Sequence, residues 1–441
     1  MKKKINYLID LCNEEYLEFS GFILLMLWCI SPVIEYFNKN YFSMMYKTYF
    51  KFTIYVIGIF GILIYILYVI KKRKKEKFDF KKSFPKILLF LLLVIAIIAS
   101  LTSSNVYLSF FGEAYRKEGL IVYLMYLGII LLASIVRNKK YQKCLFNTII
   151  SSALIIAILP LFKSNFSYYT FANVFNQFNH YGYYLMIATM LSGCMFLEIK
   201  GFKRVLYLSS FTFLLHCLIL NNTFGCYLAI TISLVVLLIY LLIVKEKRIS
   251  MAILILSFIL VTVGVSYLNI RIGDNSNKKN NIVLDNFTSL SKDVETITEN
   301  NTAKINKVGS YRGILWKEAW NYIKEHPLLG GGMESLNKYY DEHLTTISQD
   351  RPHNIILQFA AFIGIPGAII YVIFISFIGL SNIKRIKTET FYITIFTTGM
   401  CYFISSLVGN SMYYTSPYFM IFLGLLIMMY ECNYEKRKVN N

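Results

Sequence analysis

The sequence predicts an all-α polytopic membrane protein, with about 12 transmembrane helices and one large extracytoplasmic loop containing short helices. Three observations carry that prediction. Of the 441 residues, 56% are hydrophobic and only 16% are charged, on the apolar side of the norms for soluble domains. Apolar runs, many of 18 residues or more, recur along the whole length and are long enough to cross a bilayer. The basic residues collect in alternate connections between those runs, as the positive-inside rule requires of a multi-pass chain.

The runs cover residues 21–37, 52–70, 84–102, 119–136, 144–162, 180–197, 205–220, 225–244, 249–268, 354–380, 390–408 and 417–430. The first follows about 20 mixed polar residues and has no small-residue cleavage site, so it reads as a retained anchor rather than a signal peptide. The seventh and eighth are divided only by Asn221, Asn222, Thr223 and Phe224. Three parts follow: residues 1–268 with about nine helices, a large extracytoplasmic loop over 269–352, and residues 353–441 with about three helices.

If every run spans, one face receives Lys2, Lys3, Lys4, the stretch from Lys71 to Lys86, Arg137 to Lys143, Lys200 to Arg204, Lys245 to Arg248, Lys384 to Lys387, and Lys436 to Lys438. That face holds 28 basic and 11 acidic residues; the other holds 17 and 14. The first is therefore the cytoplasmic side, with both termini on it. Most of the net charge of +20 is thus an orientation signal and calls for no nucleic-acid partner. The eight cysteines avoid 269–352, and none is spaced as a metal ligand pair. Transport is the natural competitor for such a chain, but the helix centres are almost free of charge; Glu35 and Lys163 lie near run ends, and His216 lies well inside one. The polar chemistry is concentrated on the outer face, which favours an enzyme opening there.

Within the outer segment, residues 269–308 are rich in Asn, Ser, Thr and Lys and read as a loop with a short helix or two. From Gly309 a helix is predicted, with Ser310 as its N-cap and Leu315, Ala319, Trp320 and Ile323 on one face. Pro327 and Gly330, Gly331 and Gly332 end it. Arg312 sits in the first turn, where a cation opposes the helix dipole unless an anion is near. A diphosphate would gain from both the helix amides and a guanidinium fork. The plainer alternatives are a solvated surface arginine and, for Trp316 and Trp320, interfacial anchoring. His353 stands at the mouth of the next long run, either as a helix cap or as an imidazole that meets water and a membrane-embedded substrate together. A metal site from His326, His343 and acidic neighbours is a weaker alternative. Gly364, Pro366 and Gly367 are expected to kink that helix or let a neighbour approach closely.

The stretch 309–367 resembles the O-antigen ligase and O-antigen polymerase superfamily. The resemblance rests on Arg312 with the Trp316/Trp320 helix, then His326-Pro327-Leu328-Leu329-Gly330-Gly331-Gly332, then His353-Asn354. After nine intervening residues come Gly364 and, three later, Gly367, similar to the family's His-Asn/Ser/Gln, nine-residue, Gly-x-x-Gly signature. The ligase-type region covers about 205–380. Upstream, Asn173 to Tyr184, with Asn176, Asn179 and His180, is similar to the Asn-rich start of a middle helix, and Phe111 to Gly119 to an outer loop. One departure is that Phe224 stands where family members often carry an arginine.

The resemblance implies a C-type glycosyltransferase-like architecture in the cytoplasmic membrane, with an extracytoplasmic active site. It implies transfer of a glycan from an undecaprenyl-diphosphate carrier to an acceptor hydroxyl, without cofactor or metal. The acceptor would be a glycan, a lipid or a protein. His353 and Arg312 are the implied catalytic pair, and Arg116, Lys117, Arg351, Asn354 and Trp316 the implied substrate contacts. Two alternatives stay open at this point: a polysaccharide polymerase that extends lipid-linked repeats, and a non-catalytic glycan-lipid flippase or transporter.

Overall fold

The computed structural model describes residues 13–38, 47–73, 77–113, 116–162, 173–175, 177–245, 247–268, 281–298, 308–344, 349–386, 391–410 and 412–440. Expectations that involve residues 2–4, Cys12, Lys74, Lys75, Lys163, Asn176, 269–280 and 299–307 lie outside the described residues. In chain order the helices are α1 (Glu14–Phe37), α2 (Lys47–Arg73), α3 (Phe80–Leu101), α4 (Val106–Phe111), α5 (Leu120–Ala133), α6 (Lys139–Ile158), α7 (Phe178–Glu198) and α8 (Lys203–Asn221). They continue as α9 (Phe224–Val244), α10 (Arg248–Ser266), α11 (Ile282–Thr298), α12 (Val308–Glu325), α13 (Leu336–His343), α14 (Ile355–Ile386), α15 (Phe391–Ser406) and α16 (Ser416–Asn440). No strand occurs among the described residues. A chain this apolar satisfies its backbone within each segment, and helices do so without a partner.

All twelve apolar runs fall on helices, but they are not equivalent. Among the described residues, nine helices are long and apolar enough to cross a membrane. The other three are α5 with 14 residues, α15 with 16, and α7, which is long enough but carries more polar side chains. These three are inner helices. Every residue of α7 from His180 to Leu197 is buried, so its wall is protein all round and its sequence has no lipid stripe. By contrast α10 and α3 bury little and turn Leu256, Leu260 and Phe90 outward.

The ends of the bundle differ in chemistry. At one end Glu435 of α16 meets Lys82 at 2.7 Å, Arg137 at 3.0 Å and Lys72 at 3.2 Å, while Glu431 meets Lys86 at 2.6 Å. The predicted basic connections after α2 and α5 and the C-terminal helix therefore converge in space. At the other end, α12 and α13 roof the bundle over a second, smaller core. Leu315, Ala319, Tyr322 and Ile323 pack there with Leu336 and Tyr340, against Ala96 and Ala99 of α3 and residues 360–363 of α14. The Tyr340 hydroxyl donates to the Leu315 carbonyl at 2.8 Å and ties α13 to α12. Trp320 does not share the buried face of Leu315, Ala319 and Ile323 and is 52% exposed.

Candidate active site

Helix α14 is broken where the glycine spacing fell. Ile363 and Gly364 leave helical geometry, with Gly364 at φ 74, ψ 171, a region open essentially to glycine alone. The break frees backbone groups that a helix would pair internally, and the turn after α12 takes them. The Gly331 amide donates to the Ala361 carbonyl at 2.9 Å, the Gly332 amide to Phe362 at 3.0 Å, and the Ile365 amide to Pro327 at 2.9 Å. A Cβ on Gly330 would come within 2.5 Å of the Phe362 backbone, and one on Gly364 would strike the Leu328 carbonyl. The separated glycine motifs thus form one structural device that docks the turn 327–332 into α14.

The chain then approaches α14 through 349–354, where each residue is held. Asp350 pairs with Arg116, whose Nη2 lies 2.8 Å from its carboxylate. Arg351 is fully buried between Glu118, at 2.9 Å, and Glu334. The Pro352 carbonyl accepts from the Trp316 indole at 2.7 Å. Asn354 caps α14, its side-chain oxygen accepting from the Ile356 and Leu357 amides at 3.0 Å each. Between them His353 takes φ 55, which a non-glycine residue adopts only when its surroundings demand it. Its Nε2 lies 3.2 Å from Gln349 Oε1 and 3.0 Å from Asn410 Nδ2.

Arg312 enters from the roof. Gly309, Ser310 and Tyr311 all lie in left-handed conformations, so Ser310 is part of a left-handed turn rather than the extended N-cap expected of it. Arg312 opens the regular helix, and its Nη1 donates back to the Gly309 carbonyl at 2.9 Å. Trp316, one turn on, carries the bond to Pro352, so the helix that bears Arg312 is fastened beside His353. The electrostatics agree with this proximity. Burial, then the charges of Arg312 and Arg116, push the His353 imidazole down to about 4, against an opposing pull from Asp350. Burial raises the Asp350 carboxyl, but Arg116 and Arg351 outweigh it and hold the group below its ordinary range. Burial carries Glu334 up to about 7, with Glu118 adding to the rise and Arg351 opposing it.

The geometry sorts the residues named from sequence. Arg312, Trp316, Arg116, Arg351, His353 and Asn354 converge at one end of the bundle. Arg351, expected as a substrate contact, is sequestered with no exposed surface between two carboxylates. Arg116 is 4% exposed and engaged by Asp350, and the Asn354 side-chain oxygen serves the helix cap. Lys117 lies exposed on the same loop. Phe224 packs edge-on against Phe287 of α11, ring centres 5.2 Å apart, so at the position of the family arginine an apolar contact docks α11 on the α8–α9 turn. Glu118, Glu334, Gln349 and Asn410 were not picked out from sequence. Glu118 had a local signal, being two residues from Arg116; Asn410, 57 residues beyond His353, had none. Among the described residues no group of three or more His, Cys, Asp or Glu is placed to hold a metal.

Beside the site, between the helices, lies a cavity. Its wall is almost wholly apolar, with Leu92, Tyr123, Phe359, Tyr371, Tyr402 and Phe419 among its residues. Glu118, Met333 and Ile355 also line it, and Glu118 is the carboxylate that holds Arg351. The apolar space and the polar site therefore share a boundary.

No curated protein and no solved structure matches the chain significantly. Residues 209–372 match the O-antigen ligase family. That stretch contains Arg312, the glycine turn, His353 and the break in α14, so in a chain with several helices long and apolar enough to cross a membrane, the part similar to the O-antigen ligase family is the part that carries these residues.

Proposed function

We propose that this protein transfers a glycan from a polyprenyl-diphosphate carrier, of the undecaprenyl type, to an acceptor hydroxyl at the extracytoplasmic face of the cytoplasmic membrane. The observation that carries the reading is the fastening of the Arg312 helix beside His353, within the segment that matches the ligase family. The acceptor hydroxyl attacks the anomeric carbon; the new glycosidic bond forms as the bond from that carbon to the diphosphate oxygen breaks. The bonding pair leaves with the carrier diphosphate, whose growing charge Arg312 stabilises. The hydroxyl proton passes to His353, which is neutral at physiological pH and so has a lone pair to receive it. The cavity beside the site supports a donor with an apolar chain, because its wall offers apolar contact up to the Glu118 boundary. Arg116 and Arg351 act on this reading through the segment they hold, and Lys117 and Trp316 border the donor.

The test is transfer by purified protein in lipid nanodiscs, using a synthetic polyprenyl-diphosphate glycan. Arg312→Ala and His353→Ala should each lower the rate by roughly 10²–10⁴-fold with unchanged thermal unfolding. Wild-type transfer by either variant would overturn the mechanism, and translocation without a new glycosidic bond would point to a flippase. A ligase and a polymerase share the donor half of this reaction. A deletion strain distinguishes them: loss of a ligase strands long chains on carrier lipid, loss of a polymerase leaves single repeats.

A further inference from the structure

The residues around His353 form a second pattern that the transfer chemistry does not use. In the six-residue segment 349–354, side chain or backbone is fastened at every position, and by different parts of the fold. Gln349 meets His353 itself, and Arg116 of the 112–119 loop grips Asp350. Glu118 of that loop and Glu334, two residues past the glycine turn, grip Arg351. Trp316 of α12 holds Pro352, Asn410 of the α15–α16 connection meets His353, and Asn354 caps α14. A buried arginine between two carboxylates is a costly arrangement that an apolar side chain of similar size would often replace without loss. Stability alone does not account for it, whereas a histidine at φ 55 requires surroundings that over-determine its backbone.

We propose that Arg116, Asp350, Arg351, Glu118 and Glu334 are positioning residues, and that the 112–119 loop and the glycine turn orient the His353 imidazole through them. The loop does so without touching the reacting atoms. Asp350 and Arg351 lie three and two residues before His353, so a displaced ion pair is passed along a few backbone torsions. A shift of about 1 Å at a proton-transfer group is enough to cost on the order of 100-fold in rate. This inference rests on His353 as the group that handles the acceptor proton.

Asp350→Asn keeps the shape of the side chain and removes the charge that grips Arg116. The full-length protein in nanodiscs, labelled with ¹⁵N-histidine, reports the His353 titration without any substrate, its signal assigned by loss in His353→Gln. The groups acting on that titration are Arg312, Arg116 and Arg351, which lower it, and Asp350, which raises it. Charge removal in a fixed geometry therefore lowers the titration further, whereas release of His353 from its buried position raises it toward the ordinary value near 6.5. The expected result for Asp350→Asn is a rise, with kcat reduced about tenfold or more and KM within about twofold. Asp350→Glu should restore both, and Trp316→Phe, which removes the indole donor to Pro352 and shortens the ring, should move the titration the same way by less. If Asp350→Asn does not fold, Trp316→Phe decides the matter by the same readout. An unmoved or lowered titration overturns the positioning role. A wild-type protein that transfers nothing overturns the proposed function instead, and leaves the titration result standing.

Discussion

His353 works in a field set by cations. The depression of its imidazole to about 4 comes from burial and from Arg312 and Arg116, so the base form is complete at neutral pH and is lost only as pH falls through that value. A diphosphate bound near Arg312 reverses part of this, because an anion favours the imidazolium. The acid limb of kcat/KM, which reports the free enzyme, should lie near pH 4, and that of kcat, which reports the complex, should lie higher. Arg312→Ala should raise the acid limb of whatever activity remains, because it deletes one of the depressing charges. A pH–rate profile of both parameters checks this; an acid limb near 6.5 in wild-type kcat/KM would contradict the field described above.

At the scale of elements, the docking of turn 327–332 into the broken α14 holds the roof against the bundle. Three backbone hydrogen bonds depend on glycines, among them Gly330, Gly332 and Gly364 at positive φ, that no other residue replaces without strain. Gly364→Ala adds a Cβ in a conformation reserved for glycine and against the Leu328 carbonyl, at a cost of about 2–3 kcal/mol or more. Thermal unfolding in detergent should show the loss as a fall in midpoint, and transfer activity should fall with it as the Arg312 helix loosens. Gly379→Ala, in the same helix with open space where its Cβ would stand, should unfold like wild type. Equal midpoints for Gly364→Ala and wild type would show that the turn does not hold the roof.

At the scale of the whole molecule, the prediction concerns orientation. The basic connections that gather around Glu435 and the roof that carries Arg312 lie at opposite ends of the bundle, and the positive-inside rule assigns the first to the cytoplasm. Lys338 on α13 and Lys438 at the end of α16 are both well exposed, with 78% and 71% of their side-chain surface accessible. In a cysteine-free background, Lys338→Cys should react with a membrane-impermeant maleimide from outside intact cells, and Lys438→Cys only after permeabilisation. The opposite pattern would place the site in the cytoplasm and remove the proposed donor.

The helical class, the places of the twelve apolar runs and the difference in charge between the two ends are legible in the sequence. These are properties of local hydropathy and charge, which act within a segment. The sequence also marked Arg312, His353 and the glycines, because each breaks a local rule: a cation at a helix start, an imidazole at an apolar mouth, glycines within a long apolar run. Which helices are outer and which are inner emerges from packing, since α7 and α5 owe their character to neighbours rather than to their own periodicity. Packing also decided that Arg351 and Arg116 are gripped by carboxylates and that Glu118, Glu334 and Asn410 belong to the site. Those pairings join residues 17 to 234 positions apart, beyond the reach of helical periodicity. A cation's role depends on what stands next to it, and that is settled by packing.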